Sequence, residues 1–169
     1  MGPLLRTTQA QRGCTPRLRQ RASHREKVSM AGALWKTAGG QVRVAWRSYP
    51  EESVNNRVYA RFLEDLLSTR LARVPVIVLH DRGNMHRGEP VEDLDSDFQR
   101  LVGFEFLPPY APELNPVEQL WNWLKYDQLP NFAARDVWHL ERIIERTMLP
   151  LHTDQPTLRS MLANSPLRW

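Results

Sequence analysis

Between Leu107 and Lys125 the chain reads LPPYAPELNPVEQLWNWLK, and no other stretch restricts its fold as much. Four prolines fall between Pro108 and Pro116, and an amphipathic helical pattern follows without a gap. Proline fixes φ and pushes the preceding residue toward extended backbone. The segment before Pro116 is therefore expected to be a stiff arm, with Asn115 as N-cap and Pro116 at the first helical position. Such a mount presents Glu118 in the first turn of the helix. A carboxylate held this way gains meaning when a second one faces it, and Asp81 ends the most apolar run of the chain 37 positions upstream.

With 169 residues, 41% of them apolar, the chain can bury one sizeable core, and one domain is expected. No run is long enough to cross a membrane, and no apolar segment follows the N-terminal charges, which argues against secretion. The single cysteine, Cys14, excludes an internal disulfide and a cysteine-based zinc site within one chain. The expected location is the cytoplasm. The net charge of +4 conceals an asymmetry. Residues 1–47 hold ten Lys or Arg and one acid, Glu26, whereas the remainder carries thirteen basic residues against eighteen acidic ones. Arg17, Arg19 and Arg21 in this arm suit sequence-indifferent contact with a phosphate backbone. A solvated, partly disordered N-terminus explains the same composition, and both readings stand.

Residues 1–25 show no usable period. Lys27–Trp35 and Gln41–Trp46 read as two strands joined by a turn at Ala38-Gly39-Gly40. From Val54 onward Val58, Tyr59, Phe62, Leu63, Leu66 and Leu67 recur as one buried face of a helix. Val74–His80 does not alternate and reads as a strand buried on both faces, as in parallel sheets. The acidic stretch Glu89–Asp97, completed by Phe98–Val102, reads as a helix, and Phe104–Leu107 as a short strand feeding the arm. Val117, Leu120, Trp121 and Leu124 form the apolar stripe of the next helix. Another is expected over about 133–148, with Val137, Leu140, Ile143, Ile144 and Met148 inward, and a last one over Gln155–Ala163. The order β-β-α-β-α-β-α places the chain in the α/β class.

In open α/β sheets chemistry gathers at the carboxyl ends of strands, where Asp81 stands. Two carboxylates brought together there repel unless one is protonated or a cation lies between them. Magnesium or manganese, which prefer hard oxygen ligands, are the usual solution, and such ions can drive phosphodiester cleavage. Each acid also has an ordinary explanation. Asn115-Pro-Val-Glu118 is a capping-box pattern, and local sequence alone favours capping over catalysis. Aspartate is common in turns after strands.

The arm and its helix closely resemble the terminal motif of bacterial insertion-sequence transposases allied to the mariner group. These belong to the DDE superfamily of endonucleases, which use an Asp-Asp-Glu triad on a ribonuclease-H-like fold. The resemblance implies that Glu118 is the third metal ligand. VIVLHDRGNMHRG resembles the second-ligand stretch, with Asp81 as ligand and His86 as the histidine that follows. Thirty-six residues separate the two acids, close to the family spacing. The similarity runs from about residue 12 to about residue 148. It implies Mg2+ or Mn2+ as cofactor, DNA at transposon ends and targets as partner, a homodimer, and a place at the nucleoid. Asn84, His86, Asn115 and Lys125 become candidate supporting or DNA-contacting residues. For His86 a surface turn histidine is the plainer reading, and for Lys125 a solvated side chain. Trp123 either packs on the following helix or stacks against DNA, with packing favoured.

The pattern breaks at the first aspartate, which the family carries on a central strand upstream of the arginine-rich segment. The first aspartate here is Asp65, inside a predicted helix. The expected architecture is a ribonuclease-H-like mixed sheet with flanking helices that lacks this first strand, so that its two neighbours face an unfilled slot. The expected division is a basic arm over 1–25, a partial catalytic domain over 26–150 and a helical tail over 151–169. Three readings follow: a transposase fragment inactive alone unless frameshifting completes it, a non-catalytic protein that binds DNA or pairs with a full-length transposase and poisons it, and the remnant of a decayed element.

Overall fold

The computed structural model describes residues 27–71, 75–98 and 101–167, the side chains of 95–97 excepted. The basic arm, with Arg17, Arg19 and Arg21, lies outside the described residues. Strands β1 (Ser29–Lys36) and β2 (Val42–Tyr49) form an antiparallel hairpin in register from Ser29↔Tyr49 to Lys36↔Val42. Gly40 closes the turn at φ +74, a conformation that glycine adopts without a Cβ penalty. Helix α1 (Asn56–Thr69) follows, with Asn55 Oδ1 accepting from the Val58 N–H. Strand β3 (Val76–His80) pairs in parallel with β4 (Val102–Phe106).

The connection between β3 and β4 is helix α2 (Glu89–Asp97), which ends at Asp97 instead of running to Val102. Phe98 closes it with an N–H bond to the Leu94 carbonyl, and Val102 already belongs to β4. After the arm come α3 (Pro116–Asn122), a π-helical turn (Trp123–Gln128), α4 (Val137–Met148) and α5 (Gln155–Ala163). Helix α4 begins at Val137, not near residue 133, because Asp136 caps it by accepting from the His139 N–H. Asp154 caps α5 in the same way through Thr157.

Two apolar clusters hold these layers together. On one face of the hairpin, Val28, Val42 and Val44 meet Leu120, Leu124, Ile144, Met148, Leu158 and Leu162 from the helices after the arm. On the other face, Ala31 and Ala45 meet Tyr59, Leu63 and Leu67 of α1, together with Leu94 of α2 and Val102 of β4. Helix α1 thereby bridges the two strand pairs. Gly32 admits the indole of Trp121, since a Cβ there would lie 2.7 Å from Trp121 Cη2. The Gln155 amide secures the start of β2, accepting from the Val42 N–H and donating to its carbonyl.

The strands form two separate pairs, not one continuous sheet: among the described residues β1 pairs only with β2, and β3 only with β4. Strand β3 is also not buried on both faces. Its exposure alternates, with Ile77 69% exposed and Leu79 37% exposed. The helices after the arm pack on the hairpin and leave the outer face of the β3–β4 pair uncovered. The alternation was hidden in the sequence because the uncovered face is itself apolar.

Candidate active site at the strand ends

Asp81 follows β3 directly, at the carboxyl end of the parallel pair, with its side chain 42% exposed. One of its oxygens is held by the protein. Oδ1 accepts from the Gly83 N–H at 2.8 Å and lies 3.2 Å from His86 Nε2. Oδ2 carries no hydrogen bond among the described residues. Gly83 has an ordinary φ of −57, so space explains it and not backbone freedom. A Cβ there would stand 2.9 Å from Asp81 Oδ1 and 3.2 Å from His86 Cδ2.

His86 ends the short 3-10 turn Asn84–His86 and is not a solvated turn histidine. Its side chain is 16% exposed, and its ring stands edge-on to Tyr59 at 4.2 Å. Burial lowers its pKa, against an opposing pull from Asp81, so the ring is neutral near pH 7. The tautomer that serves Asp81 carries its proton on Nε2 and leaves buried Nδ1 without a partner among the described residues. Asn84, by contrast, is exposed, and it makes no hydrogen bond among the described residues.

His80 and Tyr59 complete this cluster, and sequence reasoning passed over both. Tyr59 Oη lies 3.4 Å from His80 Nδ1, and the His80 ring stacks on Phe106 at 4.3 Å. Desolvation pushes His80 down to about 4, His86 adds to the effect, and Asp81 opposes it. Burial likewise raises the Tyr59 phenol. The available signal was chemical: a tyrosine on a core stripe and a histidine ending an apolar strand both need a polar partner when buried.

The arm is rooted against the same strand end. The Leu107 N–H donates to the His80 carbonyl at 2.9 Å, and Arg82 Nε donates to the Leu107 carbonyl at 3.2 Å. Its path is not extended throughout. Tyr110 turns it at φ +57, and Pro112–Leu114 forms a 3-10 turn, for which proline at the first position is as suitable as for an extended strand. Ser165, itself buried, fastens the far end by donating to the Leu114 carbonyl.

Asn115 caps α3 as expected, its Oδ1 accepting from the Val117 N–H at 3.1 Å. The reciprocal half of a capping box does not form. The Asn115 N–H donates to the Pro112 carbonyl, and the half-buried Glu118 carboxylate has no hydrogen bond or ion pair among the described residues. Trp121 and Trp123 both pack against the helical core, which leaves Trp123 as a packing residue. Lys125 lies half-buried in the π-helical turn, with no carboxylate partner among the described residues.

Hard divalent cations accept one or two carboxylates, with water and substrate phosphate completing the shell. The uncommitted Oδ2 of Asp81 and the free carboxylate of Glu118 match that donor chemistry. Among the described residues no group of three His, Cys, Asp or Glu side chains converges as a metal cage.

Residues 2–141 match the family model of the DDE superfamily endonucleases. The chain belongs to that family. No curated protein sequence matches it significantly. Solved structures share the fold of this DDE chain. The Mos1 transposase paired-end complex with left transposon end aligns at a TM-score of 0.60 and 17% identity, over 97% of this chain and 48% of that one. The Mos1 strand transfer complex aligns at 0.54 and 17%, over 99% and 51%. The DDE chain thus spans about half the length of these structures, and its fold is of the ribonuclease-H-like α/β class. Among the described residues no helix is long and apolar enough to cross a membrane.

Proposed function

We propose that the chain is part of a transposase catalytic domain in which Asp81 and Glu118 hold magnesium or manganese for cleavage and strand transfer of DNA. The observation that carries this reading is the Glu118 carboxylate, unpartnered among the described residues, on an arm rooted by Leu107 against the strand that Asp81 follows. Gly83 and His86 fix one oxygen of Asp81 and leave the other for a ligand. Asp81 and Glu118 would hold the cations, which would supply activation of a water or 3′-hydroxyl and neutralisation of charge on the phosphodiester. The solved structures that share this fold include the Mos1 transposase paired-end complex with left transposon end and the Mos1 strand transfer complex. DNA is accordingly the proposed partner, contacted by the basic arm over 1–25 and by Lys125. Residues 26–150 form the partial catalytic domain, and 151–169 its helical tail.

A first triad aspartate would be supplied by a strand outside this sequence, seated between β1 and β3. The split of the sheet into two pairs supports that reading, since among the described residues each of those strands has a single neighbour. The purified chain is therefore expected to nick element-end DNA weakly or not at all in magnesium. Robust magnesium-dependent cleavage by the 169-residue chain contradicts this.

A second reading has its own support. The outer strand edges, which have no neighbour among the described residues, and the exposed Ile77 and Leu79 suit strand addition by a full-length transposase or a second copy. The chain would then act as a binding protein. Salt-sensitive DNA binding that survives replacement of both Asp81 and Glu118 by alanine, without any cleavage after addition of the full enzyme, favours this class.

A further inference from the structure

We propose that Arg82, Arg87 and Phe106 form a seat for single-stranded DNA beside Asp81. Phe106 is the last residue of β4 and is 41% exposed. The buried His80 ring stacks on it at 4.3 Å and 26°, which backs one part of its surface with a fixed partner. Two guanidinium carbons lie near the same ring, Arg82 Cζ at 6.0 Å and Arg87 Cζ at 5.6 Å from its centroid. Both arginines follow β3 within the loop that carries Asp81.

Exposed arginines over an aromatic ring are common, and a cation–π contact there is worth only about 0.5–1 kcal/mol. Three features set this group apart. Arg82 and Arg87 have no carboxylate partner among the described residues, unlike Arg47, which Asp65 pairs, and Arg61, which Glu52 pairs. Arg82 is oriented before any ligand arrives, because its Nε donates to the Leu107 carbonyl while its terminal nitrogens make no hydrogen bond among the described residues. The ring itself is held against His80, so stacking on it orders little that is not already ordered.

Two cations around an exposed ring, one of them held in place by the Leu107 carbonyl, match alternating phosphates and bases. The bases must be unstacked to reach the ring, which selects a single strand over a duplex. The seat deepens the catalytic reading by naming where the strand lies next to the carboxylate, and it rests on that reading for the identity of the polymer. An acidic peptide would satisfy the arginines but not the ring.

The test is fluorescence anisotropy with the full chain in EDTA, using an oligothymidylate of about a dozen nucleotides and an abasic strand of equal length. Arg82→Gln and Arg87→Gln are each expected to flatten the slope of log affinity against log salt by about 0.7, while Arg61→Gln leaves it unchanged. Phe106→Ala is expected to weaken oligothymidylate binding about tenfold and to leave the abasic strand unaffected. Phe106→Leu, which retains apolar cover for His80, should show the same loss of base preference and so exclude misfolding as the cause. Unaltered slopes, an unaltered preference for bases, or equally tight binding of polyglutamate overturns the seat. Mn2+ binding, followed separately, distinguishes the two readings. Loss of the arginine and phenylalanine signatures with Asp81-dependent Mn2+ binding intact rejects the seat alone. Retention of those signatures without such binding supports the seat and rejects the catalytic reading.

Discussion

His86 meets Asp81 through its Nε2, 3.2 Å from Oδ1, on the oxygen that already accepts from the Gly83 N–H. The ring is buried against Tyr59 and neutral near pH 7, so it acts as a hydrogen-bond donor of fixed direction and not as a counter-charge. Partners of this kind set the orientation of a ligating carboxylate, and their loss typically costs 10–100-fold in metal affinity. His86→Phe is expected to weaken Mn2+ binding by roughly that factor. His86→Gln, whose amide nitrogen can occupy the place of Nε2, is expected to recover most of it. Equal affinities for the two variants would remove the orienting role.

The bonding at the start of α3 separates two residues that a capping box would couple. Asn115 satisfies the Val117 N–H, whereas Glu118 contributes no bond to the helix end. Asn115→Ala should therefore lower stability by about 1 kcal/mol in urea unfolding. Glu118→Gln should stay within about 0.5 kcal/mol of the parent chain. A Glu118 variant that loses as much as the Asn115 variant would restore capping as the role of that glutamate.

Gly32 and Trp121 are coupled by volume. A Cβ on Gly32 would stand 2.7 Å from Trp121 Cη2 and 3.0 Å from Cζ2. Overpacking of this order costs about 1–3 kcal/mol, and Gly32→Ala is expected to lower the melting temperature accordingly. The double variant with Trp121→Leu should lose less than the sum of the single changes, by about 1 kcal/mol or more in a double-mutant cycle. Strict additivity would show that the contact is not the cause.

Acid should destabilise the metal-free chain through its buried imidazoles. His80 is lowered from 6.5 to about 4, chiefly by desolvation, and burial also lowers His86 and His152. As the pH falls from 6.5 toward 4, the unfolded chain takes up protons that the folded chain refuses. Stability is therefore intact above that window and declines within it. A loss of order 1–3 kcal/mol is expected across the window. The urea midpoint of His80→Leu should fall less steeply with pH than that of the parent chain. Parallel pH profiles for the two proteins would contradict the assignment.

Local chemistry made several elements legible. Asp154 and Pro156 mark the start of α5, and Gly39-Gly40 mark the hairpin turn, so both fall where the sequence places them. Asp81 and Glu118 stand out in the sequence through the resemblance of their flanking motifs, since local chemistry alone reads them as a turn residue and a cap. What remained hidden depends on partners distant in sequence. The exposure of Ile77 and Leu79 follows from which strand pair the helices cover, and an apolar exposed face reads like a buried one. Tyr59 and His80 are 21 positions apart, and each alone reads as an ordinary core residue. Proline at Pro112 fits a 3-10 turn as well as an extended arm, and only Tyr110 at positive φ decides the path. The π-helical turn at Trp123–Gln128 left no trace in the apolar spacing, and we have no physical account of it.

The central claim is that Asp81 and Glu118 ligate a divalent cation, and Mn2+ titration of the chain followed by electron paramagnetic resonance tests it most directly. The account predicts Mn2+ uptake by the parent chain that falls at least tenfold in Asp81→Asn and in Glu118→Gln, with both variants folded as judged by circular dichroism. Uptake that is equal in the parent and in both variants would contradict it.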